Sequence, residues 1–559
     1  MSSQKKRNLP VLAGLCLPIV LYFSYIACYG VNFIFWDEWD SVPMVHHFLA
    51  GTLTFSDVWL RHNENRMLLP NLFFLLNAEF NHFNTKFEMF VSGIFLLISF
   101  LMIVKVYQGR THRALSWMIP VSFLMFSFSQ YENTLWGFQV AWYFILFCLI
   151  GVFYLLESPH ESGSQSGRFW LSVFLATSAS FSSFQGLLLW PAGFLYLLAN
   201  RFDRTQRIIW IVSGVCVTGL YFTHLGFHKM GVSLSPIYHP IESFKFLLIA
   251  IGSVVPVSSG YFQLPPFGFH PAEFTGALLL LLGGSVIVQG IRKGADDKSY
   301  LLPAGLCLFA ILFDLSLVGG RQQFGLLQAT APHYTTYNLL LIVGIYLGLL
   351  REMQNLSVNP IRFIVVMLRF SPNFSIQLDN VNALRTITGV VFCIAFVQVL
   401  VSYYVGLKEG KDFYRSRVKG AQLLVNHDLA PDLLITNYVT GNAALFRKEA
   451  PFLESHDLSI FATSNAVAYR KKGLPVKILP APYQIELLLK KDPKLARAWT
   501  TLSMIYDVRG DLQKAFPLDS PKSVNDLISW TLNTTDNLRP FVDKYRNSLM
   551  FLRGKLVSS

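Results

Sequence analysis

The chain has 559 residues, of which 53% are hydrophobic, 15% aromatic and only 14% charged, with a mean hydropathy of +0.43. A soluble globular chain carries about 25% charged residues, so an ordinary soluble enzyme, a disordered chain and a fibrous protein are all excluded. Lys and Arg number 46 against 33 Asp and Glu, giving +13. Short basic loops of a membrane protein account for that excess, and no basic stripe interleaved with aromatics points to nucleic acid.

The basic start MSSQKKRNLP leads into an apolar run over 11–29 with no small-x-small cleavage site, and reads as an uncleaved first span. Apolar runs near spanning length follow. They predict spans at 10–30, 87–106, 113–129, 135–156, 169–184, 186–200, 207–224, 272–290, 300–318, 333–350 and 386–407. Lys5, Lys6 and Arg7 place the N-terminus inside. Parity then puts the basic loops 105–113, 156–168, 200–207, 291–298 and 351–385 inside as well, as the positive-inside rule requires. The run 244–262 is interrupted by Gly252 and Pro256 and would invert every later loop if it spanned, so it reads as re-entrant or interfacial. The expected fold is an α-helical polytopic membrane domain over 1–407, with about eleven spans plus one re-entrant segment. A mainly helical soluble domain over 408–559 lies on the outer side.

Polar residues gather at the outer ends of these spans. The first outer loop, 31–86, carries Trp36-Asp37-Glu38-Trp39-Asp40, with Asp40 or Ser41 able to cap a short helix that has Pro43 in its first turn and Gly51 as its stop. Trp36 and Trp39 suit a membrane interface, which leaves three acids at its water boundary. Carboxylates there can act as a general base or hold a divalent cation; solvated acids on a Trp-anchored loop are the plainer alternative. His62-Asn63-Glu64-Asn65-Arg66 reads as the polar start of an apolar helix running to about Phe80, with Arg66 able to take a phosphate bidentately. Later outer turns hold Glu132 and Gln139 (SQYENTLWGFQ), Gln185 (SSFQG), His224, His228 and His239, and then Arg321, His333 and Tyr334 (GGRQQFGLLQATAPHY). Asp314, inside an apolar run, is either functional or a salt-bridge partner of Arg321. Aromatic-belt duty explains Tyr334 and Tyr337 equally well.

No HExxH, GxxxxGK[ST] or GxGxxG pattern occurs. The six cysteines lie in or beside apolar stretches and offer neither a disulfide framework nor a CxxC site. Within 408–559, the segment 494–516 matches the first part of a tetratricopeptide repeat through Trp499, Leu502, Tyr506, Gly510 and Ala515; Pro517 and Pro521 follow, so a lone helical hairpin is expected. The stretch 421–460 reads as mixed short strands and helices.

WDEWD, HNENR, YENTLWGFQ, SSFQGLLLWP and GRQQFGLLQATAPHYTTYN, in this order over 10–407, resemble bacterial inner-membrane proteins of the GT-C glycosyltransferase superfamily, with a layout comparable to O-antigen-modifying glucosyltransferases. The resemblance implies a polyprenyl-phosphate-sugar donor, an envelope glycan or lipid acceptor on the outer face, and inversion at the anomeric carbon. By the same resemblance Asp37 matches the general-base or metal position, with Glu38 and Asp40 as alternates. A Mg²⁺ or Mn²⁺ would fall to Asp37 and Asp40. Arg66 and Arg321 match positions that meet the donor phosphate; His62, Glu64, Glu132, Gln139, Gln185, His333 and Tyr334 complete the substrate-facing set. Two positions depart from the pattern: Asn65 stands where a second imidazole is expected, and His333 where an arginine is. A flippase for a lipid-linked saccharide and an O-antigen ligase or polymerase are the competing readings.

Overall fold

The structure is a computed structural model that describes residues 3–59, 61–111, 114–157, 165–223, 235–255, 271–355 and 381–472. It is mostly helical, and among the described residues six helical segments are long and apolar enough to cross a membrane: Leu9–Tyr29, Thr85–Arg110, Gly137–Glu157, Pro271–Lys293, Lys298–Phe324 and Pro332–Arg351. The chain is therefore a helical membrane protein. Some of the other segments expected to span coincide with helices that are shorter or more polar, such as Gln165–Ser180 with its Ser, Thr and Arg residues. Two compact units divide the chain, one of 1–418 with 455–459 and one of 419–454 with 460 onward. The parting point falls inside the continuous helix Val381–Val425, later than the 407/408 boundary read from hydropathy.

In the first unit, α1 (Ser3–Tyr29) leads to a 3-10 turn, Trp36–Ser41. Then come α2 (Val42–Leu49), α3 (Phe55–Trp59), α4 (Leu68–Asn81) and α5 (Thr85–Thr111). Ser41 precedes α2, Pro43 lies in its first turn, and Gly51 past its end takes a φ of +70°, the left-handed geometry that glycine adopts without a side-chain clash. The run 113–129 is broken into 3-10 turns around a short α6 (Ile119–Met125), and α7 (Tyr131–Thr134) precedes α8 (Val140–Glu157). After them come α9 (Gln165–Ser180), α10 (Leu189–Ala199), α11 (Arg204–Tyr221), α12 (Ser235–Tyr238), α13 (Pro240–Gly252), α14 (Pro271–Lys293), α15 (Leu301–Arg321), α16 (Thr335–Asn355) and α17 (Val381–Val425).

Apolar all round, α8 is correspondingly central, packed between α5 and α9 and also touching α4, α10 and α15. By contrast, α14 leaves Leu278, Leu281, Val288 and Ile291 exposed, as a lipid-facing helix does. It approaches α13 backbone to backbone: a Cβ on Gly252 or Gly276 would lie 1.9 or 1.8 Å from a carbonyl oxygen of the other helix. Small residues permit that approach in membrane helices. The continuation of the interrupted run, 256–262, lies outside the described residues.

In the second unit the end of α17 is followed by α18 (Asp432–Tyr438), α19 (Ala443–Ser455) and α20 (Ser464–Lys472). Leu424, Ile435, Phe446 and Leu453 are buried there. Arg447 ties the hairpin by reaching Asp432 at 2.6 Å and the carbonyl of His427 at 3.1 Å. The strands expected within 421–460 are absent among the described residues. The apolar residues of α19 recur on one helical face instead. The hairpin expected at 494–516 lies outside the described residues.

Candidate functional site

A cavity of about 430 Å³ lies within the first unit. It opens between the WDEWDS turn, the tip of a hairpin, the turns preceding α8 and α10, and the ends of α15 and α16. Its lining collects Asp37, His62, Glu64, Glu132, Gln139, Gln185, Arg321, His333 and Tyr334, nine of the twelve residues that the sequence offers.

Backbone geometry sends Asp37 into the cavity. Trp36 has a φ of 50°, a left-handed conformation that a bulky residue rarely takes. The turn holds it there: Trp39 Nε1 donates to the Ile34 carbonyl at 3.0 Å, Trp136 Nε1 to the Phe35 carbonyl at 3.2 Å, and Ser41 Oγ to the Glu38 carbonyl at 2.6 Å. Such local strain persists where surrounding contacts over-determine it, and it clusters at functional sites. Asp37 and Glu38 consequently point apart. Glu38, the other acid offered as a catalytic alternate beside Asp40, is fully buried and does not line the cavity.

HNENR is a two-residue antiparallel hairpin rather than a helix start. Arg61 pairs with Arg66 and His62 with Asn65, and Asn63 adopts a φ of 51° at the turn. Asn tolerates that conformation better than other non-glycine residues. The reversal puts Glu64 at the hairpin tip, facing the cavity, and sends Arg66 the other way. Arg66 is 4% exposed, donates through Nε and Nη1 to the carbonyls of Tyr221 and Trp59 at 3.0 Å each, and also donates to the Thr223 carbonyl; its guanidinium lies 4.7 Å from the Trp59 ring centre. Each of its three guanidinium nitrogens donates to a backbone carbonyl, and it does not line the cavity. Burial lowers its pKa somewhat. Asn65 carries no imidazole function but braces the wall: its Oδ1 accepts from Ser183 Oγ at 2.8 Å and from the Phe184 amide at 3.0 Å.

Three acid–base pairs line the void. His62 lies between two carboxylates, with Nε2 3.1 Å from Asp37 Oδ2 and Nδ1 2.9 Å from Asp40 Oδ2. Burial opposes its charge, but the two carboxylates overcome that and push its pKa up to about 9, so it is a cation at neutral pH. Asp40 is outside the cavity and reaches it only through His62. Arg321 pairs with Glu64, not with Asp314, which is fully buried in α15. His333 Nδ1 lies 3.2 Å from Glu132 Oε2; burial works against the Glu132 carboxylate, yet His333 and, less strongly, Arg417 hold its pKa below the usual value. Behind the last pair, Asn133 donates to the His333 carbonyl at 2.7 Å and to Thr336 at 2.8 Å, fixing α7 against α16.

Trp36, Trp136, Phe138, Trp142, Phe184, Phe222 and Tyr334 supply aromatic walls. Of these only Tyr334 is among the substrate-facing residues that the sequence offers, although WGFQ and SSFQ place aromatic neighbours beside Gln139 and Gln185. Of the outer-turn histidines, His224 and His228 lie outside the described residues, and His239 is exposed and not part of the lining. Among the described residues no group of three or more His, Cys, Asp or Glu is disposed to hold a metal ion. Asp37 and Asp40, the pair suggested for one, each spend an oxygen on His62. A concave site with aromatic walls and a few convergent charged groups is the usual form of a small-molecule site, and flat hydrophobic-faced rings beside carboxylates and amides suit a sugar. No protein-family model, curated protein or solved structure matches this chain.

Proposed function

We propose that the cavity is the active site of a GT-C-type glycosyltransferase that moves a sugar from a polyprenyl-phosphate donor to an envelope glycan or lipid acceptor. The observation that carries this reading is the convergence, in one aromatic-walled cavity, of a carboxylate on an imidazolium (Asp37, His62) and an arginine paired with a carboxylate at the cavity wall (Arg321, Glu64). With it go the finer topology of eleven spans, an N-terminus inside the bacterial inner membrane and a C-terminal domain on the periplasmic side.

The chemistry is a single displacement. Asp37 takes the proton of an acceptor hydroxyl as that oxygen bonds to the anomeric carbon. The bond from the anomeric carbon to the phosphate oxygen breaks, and the electron pair leaves with the lipid phosphate. Arg321, released from Glu64, receives that phosphate charge in a partly desolvated setting. His62 orients the Asp37 carboxylate, and Gln139, Gln185 and Glu132 are placed to accept or donate bonds to sugar hydroxyls. A Mg²⁺ or Mn²⁺ on Asp37 and Asp40 would have to displace the His62 cation, and no step runs through it.

Transport of a lipid-linked saccharide is the second reading, favoured by Asp314, a fully buried acid within a candidate span. The deciding experiment compares envelope glycans and lipid-linked saccharides in wild-type, deletion and Asp37→Asn strains. Loss of one glycan substituent in both altered strains, with the Asp37→Asn protein present in the membrane, supports transfer. An unchanged glycan profile in the deletion strain moves the assignment to transport.

A further inference from the structure

Beneath the cavity floor, two carboxyl groups from separate elements face each other with no access to water. Glu38, from the WDEWDS turn, and Glu88, from the first turn of α5, are each 0% exposed, and their carboxyl groups lie within hydrogen-bonding reach of one another. Glu88 Oε1 accepts from Asn77 Nδ2 at 2.7 Å, and Glu38 Oε2 accepts weakly from the Phe35 amide at 3.4 Å. The remaining oxygens, Glu38 Oε1 and Glu88 Oε2, are buried and receive no donor from the described residues. Two carboxylates have only acceptors to offer each other, and unpaired charges in such a place are costly. A single proton held between the two groups satisfies both orphan oxygens.

We propose that Glu38 and Glu88 share one proton and act together as a positioning pair, clamping the turn that aims Asp37 to the start of α5. The surroundings fit a pair carrying one negative charge. Arg417 of α17 is the nearby cation, itself buried and stacked over Phe413 at 3.8 Å, with Glu132 as its other acidic neighbour. Asn77 of α4 is the neutral donor. From the turn before α8, Gly137 closes the remaining side: a Cβ there would lie 2.4 Å from Glu88 Oε2 and 2.7 Å from the Thr85 carbonyl oxygen. Gly137 is followed directly by Phe138 and Gln139 of the cavity wall. The pair is thus the joint at which the loops carrying Asp37 and Gln139 meet α5. Burial first, and the Glu88 carboxyl second, push the pKa of Glu38 well above the usual carboxyl range, in the direction that keeps the shared proton at neutral pH.

The test reads the proton through folding, so its failure is separate from failure of the glycosyl-transfer reading. The folded pair retains a proton that the unfolded chain releases at about pH 4.3. The native state therefore binds more protons above that pH, and its stability falls as pH rises until the pair ionises. Thermal midpoints of the full-length protein in detergent are measured from about pH 5 to about pH 9 for wild type, Glu38→Gln and Glu88→Gln. The expected result is a midpoint that falls with pH in wild type and a clearly flatter slope in each Gln variant, since an amide N–H supplies a bond that no longer titrates. Parallel slopes in all three overturn the shared proton. So does failure of both variants to fold, because an amide should replace a protonated carboxyl. In a transfer assay, Glu88→Gln should extend the alkaline limb of the kcat/KM profile while leaving KM for the donor unmoved; an unmoved limb overturns the positioning role.

Discussion

The two ends of α8 carry similar residues and put them to different use. At its start lie Gln139, Trp142 and the pairs Asp37–His62, Glu64–Arg321 and Glu132–His333, set around about 430 Å³ of open volume. At its end Glu157 is buried and pairs with Arg110, accepts from Tyr196 at 2.8 Å, and shares its surroundings with Arg351, whose own partner is Asp297; the void there is about 10 Å³. Asn200 reaches the Leu156 carbonyl at 2.6 Å beside it. Acids and arginines at a membrane helix terminus are thus no sign of a site by themselves. What differs is whether the charges close on one another or leave a space that a ligand can enter.

Substitutions can break this contrast in order of size. Asp37→Asn should lower transfer by about 10²–10⁴-fold, the usual worth of a positioned general base, with the thermal midpoint nearly unchanged; retained transfer would remove Asp37 from the chemistry. Glu157→Ala should do the reverse. Removing the carboxylate leaves the buried Tyr196 hydroxyl without its acceptor, at a cost of about 1–3 kcal/mol, and the partly exposed Arg110 without its counter-charge, so the midpoint drops, while the KM of whatever correctly folded protein remains stays at the wild-type value.

Arg321→Ala removes one charge-assisted bond worth about 1.5–3 kcal/mol, which predicts a donor KM raised by about 10–150-fold, partly recovered by Arg321→Lys. The parallel change Arg66→Lys should leave donor KM alone and show only in stability, because Arg66 holds carbonyls rather than a ligand. The smallest effect concerns His62. Its folded pKa, about 9, stands above an unfolded value of about 6.5. The stability it contributes is therefore full below about pH 6.5 and is lost as pH rises through about 9. A His62→Gln protein should lack that part of the alkaline decline in thermal midpoint, and an unaltered decline would mean that the imidazole is not held as a cation.

Several features of the site were legible in the residues alone. Asp37, His62, Glu64, Glu132, Arg321 and His333 come from several separate turns, yet each was visible as a polar group at the rim of an apolar run, where hydropathy gives it no reason to be. Arg66 looked equally eligible and faces away, because its partners, the carbonyls of Trp59, Tyr221 and Thr223, are invisible to any local pattern. The hairpin at 61–66 was missed for a related reason: it is only two residue pairs long, too short to show an alternating period.

By itself the sequence determined that this is a helical membrane protein, and at which turns its polar residues concentrate, because the cost of placing charge in an apolar medium is a property of composition and spacing. Only the tertiary structure decided which of those residues share a cavity, which are sealed by one another, and that Glu38 and Glu88 meet beneath Asp37. Those outcomes depend on the directions of side chains from elements tens to hundreds of residues apart, and a left-handed Trp36 or a reversal at Asn63 is enough to exchange one for the other.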